Sequence, residues 1–377
     1  ISLARIGGRR RRGAICFRAA ISGGGTTPAI VVTVTQVEEA GSSDRPVAPD
    51  PDVLSEAAVS LRSLLRVDAH DIEWVVGPRL VRPRSTLFRL EAHGGGSLLT
   101  QVYYKVATPL PPGSGKRRLR RREESRAGLA RSTRLETTLA RLVDGEDITF
   151  ARSLAVDESR MITVTMAVPG VSLGRPWRHS LTRQRRSRLE IWLERAGRAA
   201  RLVEECTQDE VVLDEESEAE RWERRLRVIQ PILPERTVAA VEKVWERLLD
   251  AALRDPDPAK YAHGDFSSTN LLVGEELGLI DLGWVARLSG FDCAHLCFRI
   301  EYDSPLPESV TARFVRAVEE GYGEADLRSR PAWMYYRLGM LLRVAAEYRG
   351  GWRATVTRLR RRALSEVERI LGEAASG

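Results

Sequence analysis

Apolar positions fall into two regimes along the chain. Up to about residue 168 they come in short strand-like runs, and from Leu181 onward they recur at helical spacing. Val53, Leu54, Ala57, Leu61, Leu64 and Leu65 predict a first helix over Val53–Val67. Three segments of strand character follow, 71–77, 86–92 and 98–107, the last two joined through Gly94, Gly95 and Gly96. A basic loop over 111–122 leads into a helix that ends at Leu135–Leu142, and two more strands are expected at 148–156 and 161–168. Beyond that, long amphipathic helices dominate, interrupted by the stretch Tyr261–Trp284, and no internal repeat is visible. Strands first and helices second predict an α+β protein of two lobes, over residues 51–168 and 169–377.

Residues 1–50 break the pattern. Arg9–Arg12, Gly23–Gly25 and the Pro-, Asp- and Ser-rich stretch Ser42–Pro51 read as a disordered basic leader without a core. Ile15–Ile21 is interrupted by Arg18, which argues against a secretory signal. Four cysteines in 377 residues, Cys16, Cys206, Cys293 and Cys297, are too scattered for a disulfide framework and point to a reducing compartment, the cytoplasm. No run approaches the roughly eighteen apolar residues of a membrane span.

A net charge of +7 invites a nucleic-acid partner, but the location of the charge argues otherwise. Six arginines lie in residues 1–18 and six cations in Lys116–Arg122, so the remainder of the chain is net acidic. Lysine is rare, only Lys105, Lys116, Lys243 and Lys260, which makes each lysine more informative than any one arginine.

The densest chemistry lies in His263-Gly264-Asp265-Phe266-Ser267-Ser268-Thr269-Asn270, followed by the apolar Leu271-Leu272-Val273 and then Leu279-Ile280-Asp281-Leu282-Gly283-Trp284. Two short strands flanking a polar loop let Asp265, Asn270 and Asp281 converge. Phosphoryl transfer needs oxygen ligands for Mg²⁺ and a carboxylate that orients the attacking hydroxyl and accepts its proton. An acid and an amide five residues apart, with a second acid after a strand, have the right donor types.

This stretch resembles the catalytic and metal loops of the aminoglycoside phosphotransferase and choline kinase-like family, which has the protein-kinase fold. The family's His-Gly-Asp, four residues, Asn, and later Ile-Asp are all matched. The resemblance implies that Asp265 is the catalytic base, that His263 supports the loop, and that Asn270 and Asp281 bind Mg²⁺. It also implies a nucleotide-binding first lobe using ATP or GTP, and an acceptor site on the helical second lobe. A protein kinase would show His-Arg-Asp and Asp-Phe-Gly, so the match favours a small-molecule hydroxyl acceptor.

Upstream, Val102-Tyr103-Tyr104-Lys105-Val106-Ala107 places a lysine inside an apolar strand, where an ammonium needs an anionic partner. In the resembled fold that lysine meets the nucleotide phosphates and pairs with a helix glutamate. Glu136 is the choice here, although Glu123 or Glu124 stands nearer the family's usual distance. The turn from Pro78 to Thr86 lacks the glycine pattern of protein kinases, and Ser85 and Thr86 are the candidate phosphate donors. Met166 and Val168 fall at the family's hinge, where backbone groups meet the purine.

Other motifs are set aside. Gly113-Ser114-Gly115-Lys116 is followed by Arg117 where a Walker loop needs Ser or Thr, and Gly23–Gly25 precedes an apolar run instead of following one. Cys293, His295 and Cys297 lack a fourth zinc ligand and read as core. Gly290-Phe291-Asp292-Cys293-Ala294-His295-Leu296 resembles the family's segment after the metal aspartate, where an acid caps a helix, and the resemblance implies a structural role for Asp292. For the acceptor, the acidic run of Glu204, Asp214, Glu215, Glu216, Glu218 and Glu220, with Glu301 and Asp303, suits a cation. Trp333, Tyr335, Tyr336, Tyr348 and Trp352 offer a cage for a quaternary amine. The expectation is a kinase of an aminoglycoside, sugar or amino alcohol, with a surface-polysaccharide or metabolite sugar kinase and a non-catalytic nucleotide-binding regulator as alternatives.

Overall fold

A computed structural model describes residues 33–36, 49–66, 72–178, 183–207, 210–255, 258–303, 306–324, 326–347 and 354–376. They form two compact units, residues 1–133 with 151–167, and residues 134–150 with 168–377.

The first unit is built on a six-stranded sheet. Its strands are β1 (Thr33–Gln36), β2 (Ile72–Arg82), β3 (Ser85–Gly94), β4 (Ser97–Ala107), β6 (Ser153–Asp157) and β7 (Ile162–Met166), in the order β1-β2-β3-β4-β7-β6. All pairings are antiparallel except β1 with β2. Helix α1 (Pro51–Leu65) covers one face. It starts at Pro51 because Asp50 caps it, accepting from the N–H groups of Asp52 (2.9 Å) and Val53 (3.3 Å). Its spaced Val53, Leu54, Ala57, Ala58 and Leu61 are buried with Trp74, Leu90, Val102, Tyr104 and Val164 of the sheet. At about 1.5–3 kcal/mol for each large side chain removed from water, this face holds α1 in place.

Four expectations are corrected. Residues 33–36 of the supposed leader form a strand, while most of the remainder of that segment lies outside the described residues. The basic stretch is no loop from Lys116 on, because helix α2 runs Lys116–Leu142; arginine is a good helix former and nothing in the run breaks it. The expected open turn over 78–86 is a strand continuation, since β2 resumes pairing after an irregularity between Val76 and Arg79 and turns back only at Pro83–Arg84. The single strand over 148–156 is two, β5 (Ile148–Phe150) and β6, which join different sheets.

The second unit contains β5, β8 (Val171–Ser172), β9 (Ala259–Ala262), β10 (Leu271–Val273), β11 (Leu277–Leu279) and β12 (Val285–Leu288). They pair as β5-β11-β10-β8 and as β12-β9. Its helices are α3 (Gly174–Arg178), α4 (Arg183–Glu205), α5 (Glu215–Ile229), α6 (Glu235–Leu253), α7 (Phe291–Asp303), α8 (Glu308–Tyr322), α9 (Pro331–Glu347) and α10 (Ala354–Ser376). The last residues of α2 belong here too, with Leu135, Leu139, Ile148 and Phe150 in the helical core. Helices α4 and α8 cross at glycines: a Cβ on Gly197 would stand 1.9 Å from the Val318 carbonyl oxygen, and one on Gly321 1.8 Å from that of Glu194. Among the described residues no helix is long and apolar enough to cross a membrane.

Candidate active site

Two strand pairs bring the candidate loops together. Residues 263–270 link β9 to β10, and residues 280–284 link β11 to β12. Because β9 pairs antiparallel with β12 and β10 with β11, both loops emerge at the same end. Backbone bonds then tie one to the other, from Ile280 N–H to the Asn270 carbonyl (3.1 Å) and from Gly283 N–H to the His263 carbonyl (3.0 Å).

Within this frame His263 is a buried brace. Its Nε2 stands 2.9 Å from the Ile280 carbonyl, which can only accept, so Nε2 carries the proton. Nδ1 is then the acceptor for the Asp265 N–H at 3.4 Å. The ring meets Phe266 edge-on with centroids 5.5 Å apart. Gly264 has φ +85°, and a Cβ there would fall 2.4 Å from Val285 Cγ2, so the loop requires glycine at this position.

Asp265 and Asp281 are exposed, whereas Asn270 is buried between their loops (9% exposed). The Asn270 amide Nδ2 donates to the Asp265 carbonyl (2.9 Å) and carboxylate (3.2 Å), which turns its own Oδ1 away from Asp265. Asp281 sits at φ +58° and Trp284 at φ +46°, left-handed conformations costly for residues with a Cβ and concentrated in this one loop. Ser267 N–H closes on the Asp265 carbonyl (2.8 Å) and Ser267 Oγ meets Thr269 Oγ1 (2.8 Å), fixing the turn. Ser172 Oγ and Gly174 N–H both donate to the Ser268 carbonyl, at 2.7 and 3.0 Å.

One residue of this site has a different partner from the one its sequence suggests. Asp292, in the first turn of α7 and fully buried, does not spend its carboxylate on capping that helix. It accepts from the backbone N–H groups of His263 (2.6 Å) and Gly264 (3.1 Å), the two residues before Asp265. Burial raises its pKa, opposed by His263 and by these two hydrogen bonds.

In the first unit, Lys105 lies on β4, opposite Leu87 of β3 and Thr163 of β7. It is therefore on an interior strand, and half-buried, on the face away from the packed Val102 and Tyr104. Ser85, 8% exposed, and half-buried Thr86 open β3 beside the tight turn. Met166 ends β7 with its N–H on the Arg152 carbonyl (2.9 Å). Glu136, in α2, is buried and belongs to the second unit, as does Val168, whose side chain lies where a Cβ on Gly278 would be.

The acceptor candidates are mostly interior. Trp333, Tyr335 and Tyr336 are core residues; Tyr336 accepts the Leu288 N–H at 2.7 Å and Tyr335 bonds buried Glu218 at 2.8 Å. Tyr348 and Trp352 lie outside the described residues. The acidic run is no single face, since Glu204 and Glu218 point inward while Glu215 and Glu216 are exposed. Among the described residues no three His, Cys, Asp or Glu side chains group as a metal centre, Cys293, His295 and Cys297 included.

Several solved structures are similar to this chain. They include a choline/ethanolamine kinase family protein from Mesorhizobium loti, at 15% identity over 85% of this chain and 100% of that one, with TM-score 0.46. The ADP-bound aminoglycoside phosphotransferase APH(2'')-Ib is 14% identical over 84% of this chain and 96% of its own, with TM-score 0.41. A macrolide 2'-phosphotransferase from Brachybacterium faecium is 17% identical over 80% and 98%, with TM-score 0.39. No curated protein matches. The model of the phosphotransferase enzyme family, APH, matches residues 101–333, a span that contains Lys105 and the whole of both loops, and the chain belongs to that family.

Proposed function

We propose that this phosphotransferase moves the γ-phosphate of ATP or GTP, with Mg²⁺, to a hydroxyl of an aminoglycoside, a sugar or an amino alcohol. The observation that carries the reading is the pairing of exposed Asp265 with buried Asn270, beside a second exposed carboxylate, Asp281. Asp265 orients the acceptor hydroxyl and takes its proton as the oxygen attacks. Its carboxylate is already aimed by the Asn270 amide, and its backbone by His263. Asn270 Oδ1 and the Asp281 carboxylate are hard oxygen donors of the kind Mg²⁺ takes alongside phosphates and water. When bound, the ion neutralises charge on the transferring phosphoryl group. In the same reading Lys105, Ser85 and Thr86 hold phosphate oxygens, and the backbone around Met166 and Val168 meets the purine.

Transfer of labelled γ-phosphate from ATP, and separately from GTP, to a panel of aminoglycosides, amino alcohols and sugars tests the reading, with Asp265→Asn as control. Transfer to one acceptor class that vanishes in the variant supports it. Transfer undiminished in the variant rejects Asp265 as the base.

A further inference from the structure

Glu204, one residue from the end of α4, is a carboxylate buried in the second unit at 4% exposure. Taking a carboxylate out of water costs several kcal/mol unless donors replace its hydration, and three groups do so. Tyr322 of α8 donates to Oε2 (2.7 Å), and Ser289 Oγ donates to the same oxygen (3.1 Å). The Gly290 N–H reaches Oε1 at 2.9 Å and Oε2 at 3.2 Å. Ser289 and Gly290 connect β12 to α7, and two residues on is Asp292, whose carboxylate holds the N–H groups of His263 and Gly264. A continuous path of short contacts thus runs from α4 and α8 through Gly290 and Asp292 to the backbone that precedes Asp265.

We infer that Glu204 is a positioning residue for Asp265: by fixing Ser289 and Gly290 it sets where α7 begins, and so where Asp292 grips the loop that carries the base. The inference rests on the reading of Asp265 as the catalytic group. The same bonds would serve bulk stability alone if the loop were rigid without them, and the two roles separate experimentally. Glu204→Gln keeps an oxygen for the Gly290 N–H, whereas Glu204→Ala removes every acceptor.

The test combines steady-state phosphate release from Mg·ATP, with and without the acceptor panel, and amide hydrogen exchange. For Glu204→Ala, kcat should fall by about tenfold to a hundredfold, the scale on which small misplacements act, with KM for ATP unchanged. Exchange should quicken in the peptide spanning 263–266 but not in α10. Glu204→Gln should recover most of kcat. Unchanged kcat in Glu204→Ala, with Asp265→Asn inactive, overturns the inference and leaves the reading of Asp265 intact. So does exchange quickened equally throughout the unit. If Asp265→Asn is fully active, that reading fails and this one with it; if the wild type shows no turnover, the exchange pattern alone decides the coupling.

Discussion

The side-chain amide of Asn270 bridges to Asp265 twice, once to its carbonyl at 2.9 Å and once to its carboxylate at 3.2 Å. One residue thereby aims the neighbouring carboxylate while presenting its remaining oxygen elsewhere. Asn270→Ala should lower turnover by on the order of a hundredfold, the cost typical of losing one preorganised donor. Stability should fall by only about 1 kcal/mol, the net worth of an ordinary hydrogen bond. Initial rates beside urea midpoints check both numbers; a midpoint shift large enough to account for the rate loss would make Asn270 a fold residue.

What the sequence made legible is local. Asp265, Asn270 and Asp281 stand in one short stretch, and alternation of apolar strands with polar loops suffices to bring them together. Lys105 was conspicuous for a similar reason, a charge amid Val102, Tyr103, Tyr104 and Val106. Asp292 was not, because its partners lie 28 and 29 residues earlier and its place in a first helical turn suggests a cap. Glu204 was hidden in a charge run whose members part ways only when α4 and α5 fold. Of the helix Lys116–Leu142 only the end was legible, because its basic first turns carry too little apolar periodicity to be seen, although their residues have ample helical propensity.

The crossing of α4 and α8 sets a second expectation. Gly197→Ala would drive a methyl to within 1.9 Å of a backbone oxygen, which no rotamer change relieves, so the helices must part. A loss of about 3 kcal/mol or more is expected, the upper range for overpacking. Gly321→Ala acts on the same crossing, so the double variant should lose less than the sum of the two in denaturant titrations.

The C-terminal helix is held by charge. Arg337 of α9 makes a two-point contact with Glu366 of α10 (2.7 and 3.0 Å) and also pairs with Glu301 of α7. Removing the guanidinium leaves two half-buried carboxylates without their shared cation, so Arg337→Met should cost about 3 kcal/mol near neutral pH, the low end for breaking a buried pair. The loss should shrink in acid, where those carboxyls become protonated. Chemical denaturation at pH 7 and pH 5 checks this; a loss independent of pH would mean that the guanidinium's approach to the Phe298 and Tyr302 rings, 5.9 and 5.8 Å from their centroids, matters more than its ion pairs.

Glu204 also ties stability to pH. Burial, reinforced by the nearby Asp292 carboxylate, pushes its carboxyl from the ordinary 4.5 up to about 7, against the lowering effect of Tyr322, Gly290 and Ser289. Because the folded-state value is raised, the folded protein keeps a proton between 4.5 and 7 that the unfolded chain has released. The contribution is therefore fully present below 4.5 and is lost as pH rises through 7. Converted at 1.36 kcal/mol per unit, the change across that window is about 3 kcal/mol. Glu204→Gln, which cannot ionise, should lack it. Other titrating groups cancel when the unfolding free energy of the variant is subtracted from that of the wild type at each pH. That difference should decline from pH 4.5 to pH 7 and then level off. A flat difference would place the ionised carboxylate comfortably among its three donors; a difference that rises with pH would mean that those donors outweigh burial and hold Glu204 charged throughout.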